Sequence, residues 1–201
     1  MAHHVLSDSN REGNPKQMSE DNKNEKKSLN DNGMYLFMTE VTQASLKPVI
    51  EWIIEENLQA KKKKYITLIV NSPGGDVNAC FALIDTMKGS SIPVRTVGIG
   101  MIASCSLLMF MAGEKGHRTL TPNTSILSHQ YSGGSRGKEH ELFSVTKEFN
   151  LTSRRLLDHY TKCTGLSEKK VRKKLLPESD VWLDAEEALA LGICDKIKET
   201  Y

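Results

Sequence analysis

The feature that most constrains this chain is an apolar run from Tyr65 to Val70 (YITLIV), cut off at once by Asn71-Ser72-Pro73-Gly74-Gly75. A short run rich in β-branched residues, with no polar alternation, suits a strand buried on both faces. Strands of that kind belong to parallel sheets covered by helices. The Pro-Gly-Gly breaks the strand. Val77, Cys80, Leu83, Ile84 and Met87 then recur at helical spacing as far as Gly89. The same order repeats directly afterwards. Val94 to Ile99 reads as a strand, Gly100 to Ser104 as a turn, and Cys105 to Met111 as a helix apolar nearly all round and therefore buried.

The remaining segments continue the alternation. Met34 to Met38 reads as a strand. A helix follows from Ser45 or Pro48 to about Ala60, with Pro48 expected in the first turn, where its missing N–H costs little. Lys61 to Lys64 read as a solvated helix end. Arg118 to Leu120 and Ser125 to His129 are short strands, and Tyr131 to Gly137 is a glycine-rich loop. A long helix runs from Lys138 to about Cys163, and Ser167 caps a basic helix ending near Leu176. Asp180 to Leu183 is extended. Asp184 with Glu187 makes a capping-box pattern for Ala185 to Leu191, and Ile193 to Ile197 closes as a strand. Strands alternating with helices define an α/β class with crossover connections.

Composition narrows the function. At 201 residues the chain suits one domain, and 27 basic against 25 acidic residues give a net charge of +2. That balance removes the electrostatic case for a dedicated nucleic-acid binder. No apolar run reaches the ~18–20 residues of a membrane span. Residues 1–33 are polar and Asn-rich and read as a disordered arm or a processed prosegment, leaving 34–201 as the folded domain. Cys80, Cys105, Cys163 and Cys194 show no C-x-x-C pairing, so no zinc site, other metal site or redox dithiol is expected. Scattered thiols in apolar settings suit a reducing compartment, and the expected location is cytoplasmic.

The glycine-bearing turns at 71–75 and 100–104 are the places for chemistry, because open α/β sheets bind ligands at the carboxyl ends of strands. A Ser before an apolar run is most often a helix N-cap. Ser104 has a second reading, as a nucleophile projected from a tight strand-to-helix turn. Gly74 and Gly75 let backbone approach a ligand, and the N–H groups of Gly75 and Cys105 would form an oxyanion hole. Serine needs a base. His3 and His4 lie in the arm, His117 sits in a turn, and His140 and His159 read as solvated on the long helix. His129 ends an apolar strand just before the glycine loop and suits a base if an acid orients its other nitrogen. Asp158, Glu178, Asp180, Asp184 and Asp195 are the candidate acids. Asp184 is occupied as a helix cap, and Asp180 can enter a site from a strand edge.

These residues resemble the Clp protease proteolytic subunit (ClpP) family. The resemblance rests on Asn71-Ser-Pro-Gly-Gly75, Gly100-x-x-Ala103-Ser104 with Leu107-Leu108 and Ala112-Gly113, Pro122-Asn123, and His129-Gln130-x-x-Gly133-Gly134-x-x-Gly137. It continues through Asp180-x-x-Leu183-x-Ala185-x-x-Ala188 with Gly192 and Asp195. It runs from about Met34 to Lys198. It implies a ClpP/crotonase-like stack of ββα units with a protruding handle helix, here 138–163. It also implies Ser104 as nucleophile, His129 as base, Asp180 as the residue orienting it, and Gly75 and Cys105 as oxyanion donors. Stacked heptameric rings, a homo-oligomer, unfolded protein or peptide as substrate, and an ATP-driven Clp-class AAA+ unfoldase as partner follow from the same likeness. No cofactor is implied in this subunit. Four departures stand out: Cys105-Ser106 after the nucleophile, Tyr131 where proline is usual, Ser179 and Val181 beside Asp180 where an Arg is often found, and a polar stretch in place of a hydrophobic axial loop. The alternatives are a ring subunit with reduced catalysis and a crotonase-like acyl-CoA enzyme.

Overall fold

A computed structural model of the chain describes residues 28–199. Most of the expected arm, residues 1–27, lies outside the described residues. Residues 28–33, expected within the arm, instead form an ordered turn. Ser28 Oγ donates to Asp31 at 2.8 Å, and the Asn32 side chain donates to the Ser28 carbonyl. Gly33 leaves this turn at φ +70° and its carbonyl accepts from Thr67 N–H, which starts the first strand in register.

The expected α/β class holds. Strand β1 (Met34–Phe37) is followed by α1 (Gln43–Leu58), β2 (Ile66–Ser72), α2 (Val77–Gly89), β3 (Val94–Ala103) and α3 (Cys105–Met111). Then come β4 (Arg118–Leu120), β5 (Ser125–Ser128), α4 (Glu139–Thr164), α5 (Glu168–Lys174), β6 (Val181–Leu183), α6 (Ala185–Ala190) and β7 (Lys196–Ile197). The parallel strands lie in the order β1-β2-β3-β4-β7, with β1, β2, β3 and β4 joined by α1, α2 and α3 as crossovers. The apolar run at 66–70 lies in β2, between β1 and β3, as its lack of alternation requires.

Two boundaries differ from expectation. Helix α1 begins earlier, at Gln43, because Thr42 and Ser45 cap each other reciprocally: Ser45 N–H donates to Thr42 Oγ1 at 3.0 Å and Thr42 N–H to Ser45 Oγ at 2.9 Å. Pro48 therefore sits in the second turn and not the first. Strand β3 runs on past Ile99 to Ala103. Its first half pairs with β4 and its second half with β5, so one long strand carries both neighbours along one edge. The bend between them falls at Gly100 (φ +63°). There Asn71 Oδ1 accepts Met101 N–H at 3.1 Å, filling the space a side chain at 100 would need.

Residues Leu46, Val49 and Ile53 of α1, Leu83 and Ile84 of α2, and the whole of α3 close over the sheet as one core. Burial on this scale, at roughly 25 cal/mol per Å² of apolar surface, is the main force holding the turns in place. Arg118 is buried at its edge. Its guanidinium pairs with Asp195 at 2.7 Å and also donates to the carbonyls of Cys163 and Gly192, tying β4 to the end of α4 and to the segment before β7. His159, expected on a solvated face, is instead buried. A ring nitrogen donates to the Leu108 carbonyl at 2.8 Å, and the ring stands edge-on to Phe81. Helical spacing placed it among charged residues, but the face it occupies packs on α3. Among the described residues, no helix is long and apolar enough to cross a membrane.

Candidate active site

The site is built where β2 and β3 end. Gly74 (φ +92°) passes so close to the second turn that a side chain there would lie 2.6 Å from the Ala103 carbonyl and 2.7 Å from Ser104 Cβ. Gly75 is held to the segment before α1. Val41 N–H donates to the Gly74 carbonyl at 2.7 Å, and Asp76 N–H donates to the Val41 carbonyl at 2.7 Å. A Cβ on Gly75 would meet that Val41 oxygen at 2.2 Å, so only glycine fits.

Ser104 joins β3 to α3 at φ 58°, ψ −132°, the one non-glycine residue with positive φ among the described residues. L-residues occupy such conformations at a cost of about 1–3 kcal/mol, and only where the surroundings compel them. Here the surroundings do. Ser104 N–H donates to the Leu127 carbonyl of β5 at 2.9 Å, and its own carbonyl accepts Leu107 N–H at 3.0 Å. The commoner reading of this serine as an N-cap fails, because Oγ makes no cap bond. It points instead to His129, with Nε2 2.8 Å from Oγ.

His129 follows the last residue of β5, and that strand end is anchored. Ser128 Oγ donates to the Leu175 carbonyl at 2.6 Å and lies 2.7 Å from the Tyr160 hydroxyl. The other imidazole nitrogen, Nδ1, faces the Gln130 carbonyl. A carbonyl can only accept, so Nδ1 carries the proton and Nε2 offers a lone pair to Ser104. This is the tautomer a base needs.

Asp180 is placed differently from the expected triad. Strands β5 and β6 pair antiparallel as Ile126–Leu183, Leu127–Trp182 and Ser128–Val181, so the next step of the register sets Asp180 opposite His129. The ladder stops one pair short, and Asp180 is exposed. Among the described residues no hydrogen bond joins it to His129; the Gln130 carbonyl holds Nδ1 instead. Ser104 and His129 are thus brought into contact, Gly75 and Cys105 border them, and Asp180 stands adjacent in register. Asp184 caps α6, as expected.

A cavity opens beside the pair. Gly75, Ser104, Cys105 and His129 form its floor, and Val77, Leu108, Leu156 and Tyr160 are among its apolar walls. The loop after His129 is pinned over it by Gln130 Nε2, which donates to the Leu176 carbonyl at 3.0 Å, and by Tyr131, whose ring packs tilted against Phe149 of α4 with centroids 4.7 Å apart.

Ser106 was not anticipated. Its hydroxyl accepts Ala103 N–H at 2.9 Å and lies 2.8 Å from the Ser72 carbonyl. The signal was available, since a lone hydroxyl in the apolar helix CSLLMFM must find a partner when buried.

A base-paired serine on a strained strand-to-helix turn, flanked by glycine backbone, defines a serine-hydrolase type of site. A family model described as Clp protease matches residues 17–201, and the chain belongs to that family. It is 38% identical over 132 residues to a protein of Deinococcus radiodurans, the "ATP-dependent Clp protease proteolytic subunit". The alignment covers 66% of this chain and 64% of that relative, a little under two thirds of its length.

Proposed function

We propose that this chain is the proteolytic subunit of an ATP-dependent Clp-type protease, a serine endopeptidase that cuts unfolded polypeptides through an acyl-enzyme. The single observation that carries this reading is the 2.8 Å contact between Ser104 Oγ and His129 Nε2 at a turn strained to present that hydroxyl.

Ser104 Oγ attacks the scissile carbonyl while His129 Nε2 takes its proton. The N–H groups of Gly75 and Cys105 receive the developing oxyanion, each donor contributing about 2.7–4 kcal/mol to the transition state. His129 then returns the proton to the leaving amine, and water repeats the cycle on the acyl-enzyme. Asp180 is the positioning carboxylate: from its place opposite His129 it balances the imidazolium that forms in each step. The apolar walls of the cavity receive the substrate side chain next to the cut bond. These steps use only this chain's own groups, and ATP is consumed by a partner unfoldase of the Clp class.

Family membership supports assembly into an oligomeric ring. We place the subunit in stacked heptameric rings of identical chains, with α4 as the handle between them and the chamber in the cytoplasm. Labelling of the intact protein by a fluorophosphonate, and its turnover of a small fluorogenic peptide, test the reading. Wild-type protein reacts with both and Ser104→Ala with neither. Full peptidase activity in Ser104→Ala would overturn it.

A further inference from the structure

Two thiols lie behind the Ser104 turn, and the hydrolytic steps above use neither. Cys105 opens α3 and lines the cavity with Ser104 and His129. Cys80, in the first turn of α2, is fully buried on the far side. Cys80 Sγ donates to the Cys105 carbonyl at 2.9 Å, which sets its thiol against the residue that carries the second sulfur. The other cysteines, Cys163 and Cys194, belong to the end of α4 and the segment before β7.

We propose that Cys80 and Cys105 are a redox pair that closes to a disulfide when hydrogen peroxide enters the substrate cavity, and that this bond switches off Ser104.

The two sulfurs divide the work by position. Cys105 faces the cavity, so a small oxidant reaches it by the route a peptide carbonyl takes to Ser104. Its thiol is held below the ordinary value by the neighbouring Cys80 side chain, helped by the N–H groups of Gly75 and of Cys105 itself against the opposing effect of burial. Burial pushes the Cys80 thiol up, so it remains protonated in reserve. The Cys105 sulfur attacks one peroxide oxygen, the O–O bond breaks, an S–O bond forms, and the thiol proton leaves with the other oxygen as water. Cys80 sulfur then attacks Cys105 sulfur. An S–S bond forms, the S–O bond breaks, and the hydroxyl departs with the Cys80 proton as a second water. Two thiols lose two electrons and two protons, and the peroxide is reduced to two waters. A dithiol reverses the reaction.

The consequence for the site follows from length. A disulfide holds its sulfurs about 2.05 Å apart, closer than any non-bonded contact. Closing it draws the Cys105 sulfur toward Cys80 of α2. It also removes the S–H that satisfies the Cys105 carbonyl. The residue being pulled supplies one proposed oxyanion donor and directly follows the nucleophile, so both lose their alignment. This second half rests on the hydrolase reading of the site; the disulfide itself does not.

The test treats the full chain with hydrogen peroxide and follows two readouts. Mass spectrometry under non-reducing conditions is expected to find the Cys80 and Cys105 peptides joined and two hydrogens lighter than their sum. Fluorophosphonate labelling of Ser104 is expected to fall about a hundredfold, the cost of losing an oxyanion donor, and to return with dithiothreitol. In Cys80→Ala, with Cys80→Ser as a second variant should the first unfold, no joined peptide forms. Cys105 then runs on to the sulfinic acid, so dithiothreitol no longer restores labelling. A bond to Cys163 or Cys194 instead, loss of labelling with no joined peptide, a joined peptide with undiminished labelling, or recovery of Cys80→Ala as complete as wild type would each overturn the proposal. Absence of labelling in the reduced wild-type protein would defeat the hydrolase reading alone, since the joined peptide is measured by mass.

Discussion

Ser106 Oγ bridges the two glycine turns, accepting Ala103 N–H at 2.9 Å and lying 2.8 Å from the Ser72 carbonyl. It is fully buried, so neither partner has water to turn to. Ser106→Ala leaves Ala103 N–H unsatisfied, at a cost of about 1–3 kcal/mol. It also loosens Ser104, one residue beyond. The expected outcome is a lower denaturation midpoint together with slower fluorophosphonate labelling. Ser106→Thr, which keeps the hydroxyl, is expected to recover labelling in part; equal labelling rates in Ser106→Ala and wild type would show that the bridge does not support the nucleophile.

The strain at Ser104 has a thermodynamic signature. Glycine adopts φ 58°, ψ −132° freely and alanine does not. Ser104→Gly and Ser104→Ala both lose the hydroxyl and the bond to His129. Between them, Ser104→Gly is expected to be the more stable by about 1 kcal/mol, read from urea midpoints, despite the greater entropy of its unfolded chain. The reverse order would mean that the turn stores no strain.

Asp180 is exposed, so its removal is expected to leave the folded state nearly untouched. Asp180→Asn keeps the shape and loses the charge that balances the imidazolium. Peptide hydrolysis is expected to fall by about 10²–10⁴ with an unchanged melting temperature. Retention of full activity would assign the orienting role to the Gln130 carbonyl alone, which already holds Nδ1.

Acid stability depends on His159 before it depends on any carboxylate with a shifted pKa. Burial pushes its pKa down from 6.5 to about 4, although its bond to the Leu108 carbonyl acts the other way. The unfolded chain takes up a proton near 6.5 that the folded chain refuses, so this stability is complete above 6.5 and is lost as pH falls toward 4. Asp195 enters lower. Partial burial would raise its pKa, but the bonds from Arg118 and from Gly116 N–H outweigh that and bring it from 3.8 to about 2. Its contribution is present above 3.8 and fades toward 2. Denaturant midpoints measured from neutral pH to about pH 4 are expected to fall less steeply in His159→Gln than in wild type. Parallel curves would mean that His159 does not carry the effect.

Much of this architecture is legible in the residues themselves. The YITLIV run specified a strand buried on both faces, Gly74 and Gly75 specified a close backbone approach, and the Asp184–Glu187 box specified where α6 starts. These are local matters, decided by sterics and hydrogen bonding within a few residues. The resemblance carried by the motifs named the same Ser104 and His129 that the structure joins.

Periodicity missed one local signal and several distant ones. Pro48 sits deeper in α1 because Thr42 and Ser45, three residues apart, cap each other at its start, and β3 continues past Ile99 because Asn71, thirty residues earlier, receives Met101 N–H. His159 is buried because α3 happens to present the Leu108 carbonyl to that face of α4. The side-chain chemistry of this protein is thus written in its order of residues: which hydroxyl, imidazole and thiols exist, and which turns can present them. Which of them touch was settled only by packing. The 2.8 Å between Ser104 and His129, the gap at Asp180 and the pairing of Cys80 with Cys105 all join segments that are distant in sequence, and the burial of a shared core is what brings such segments together.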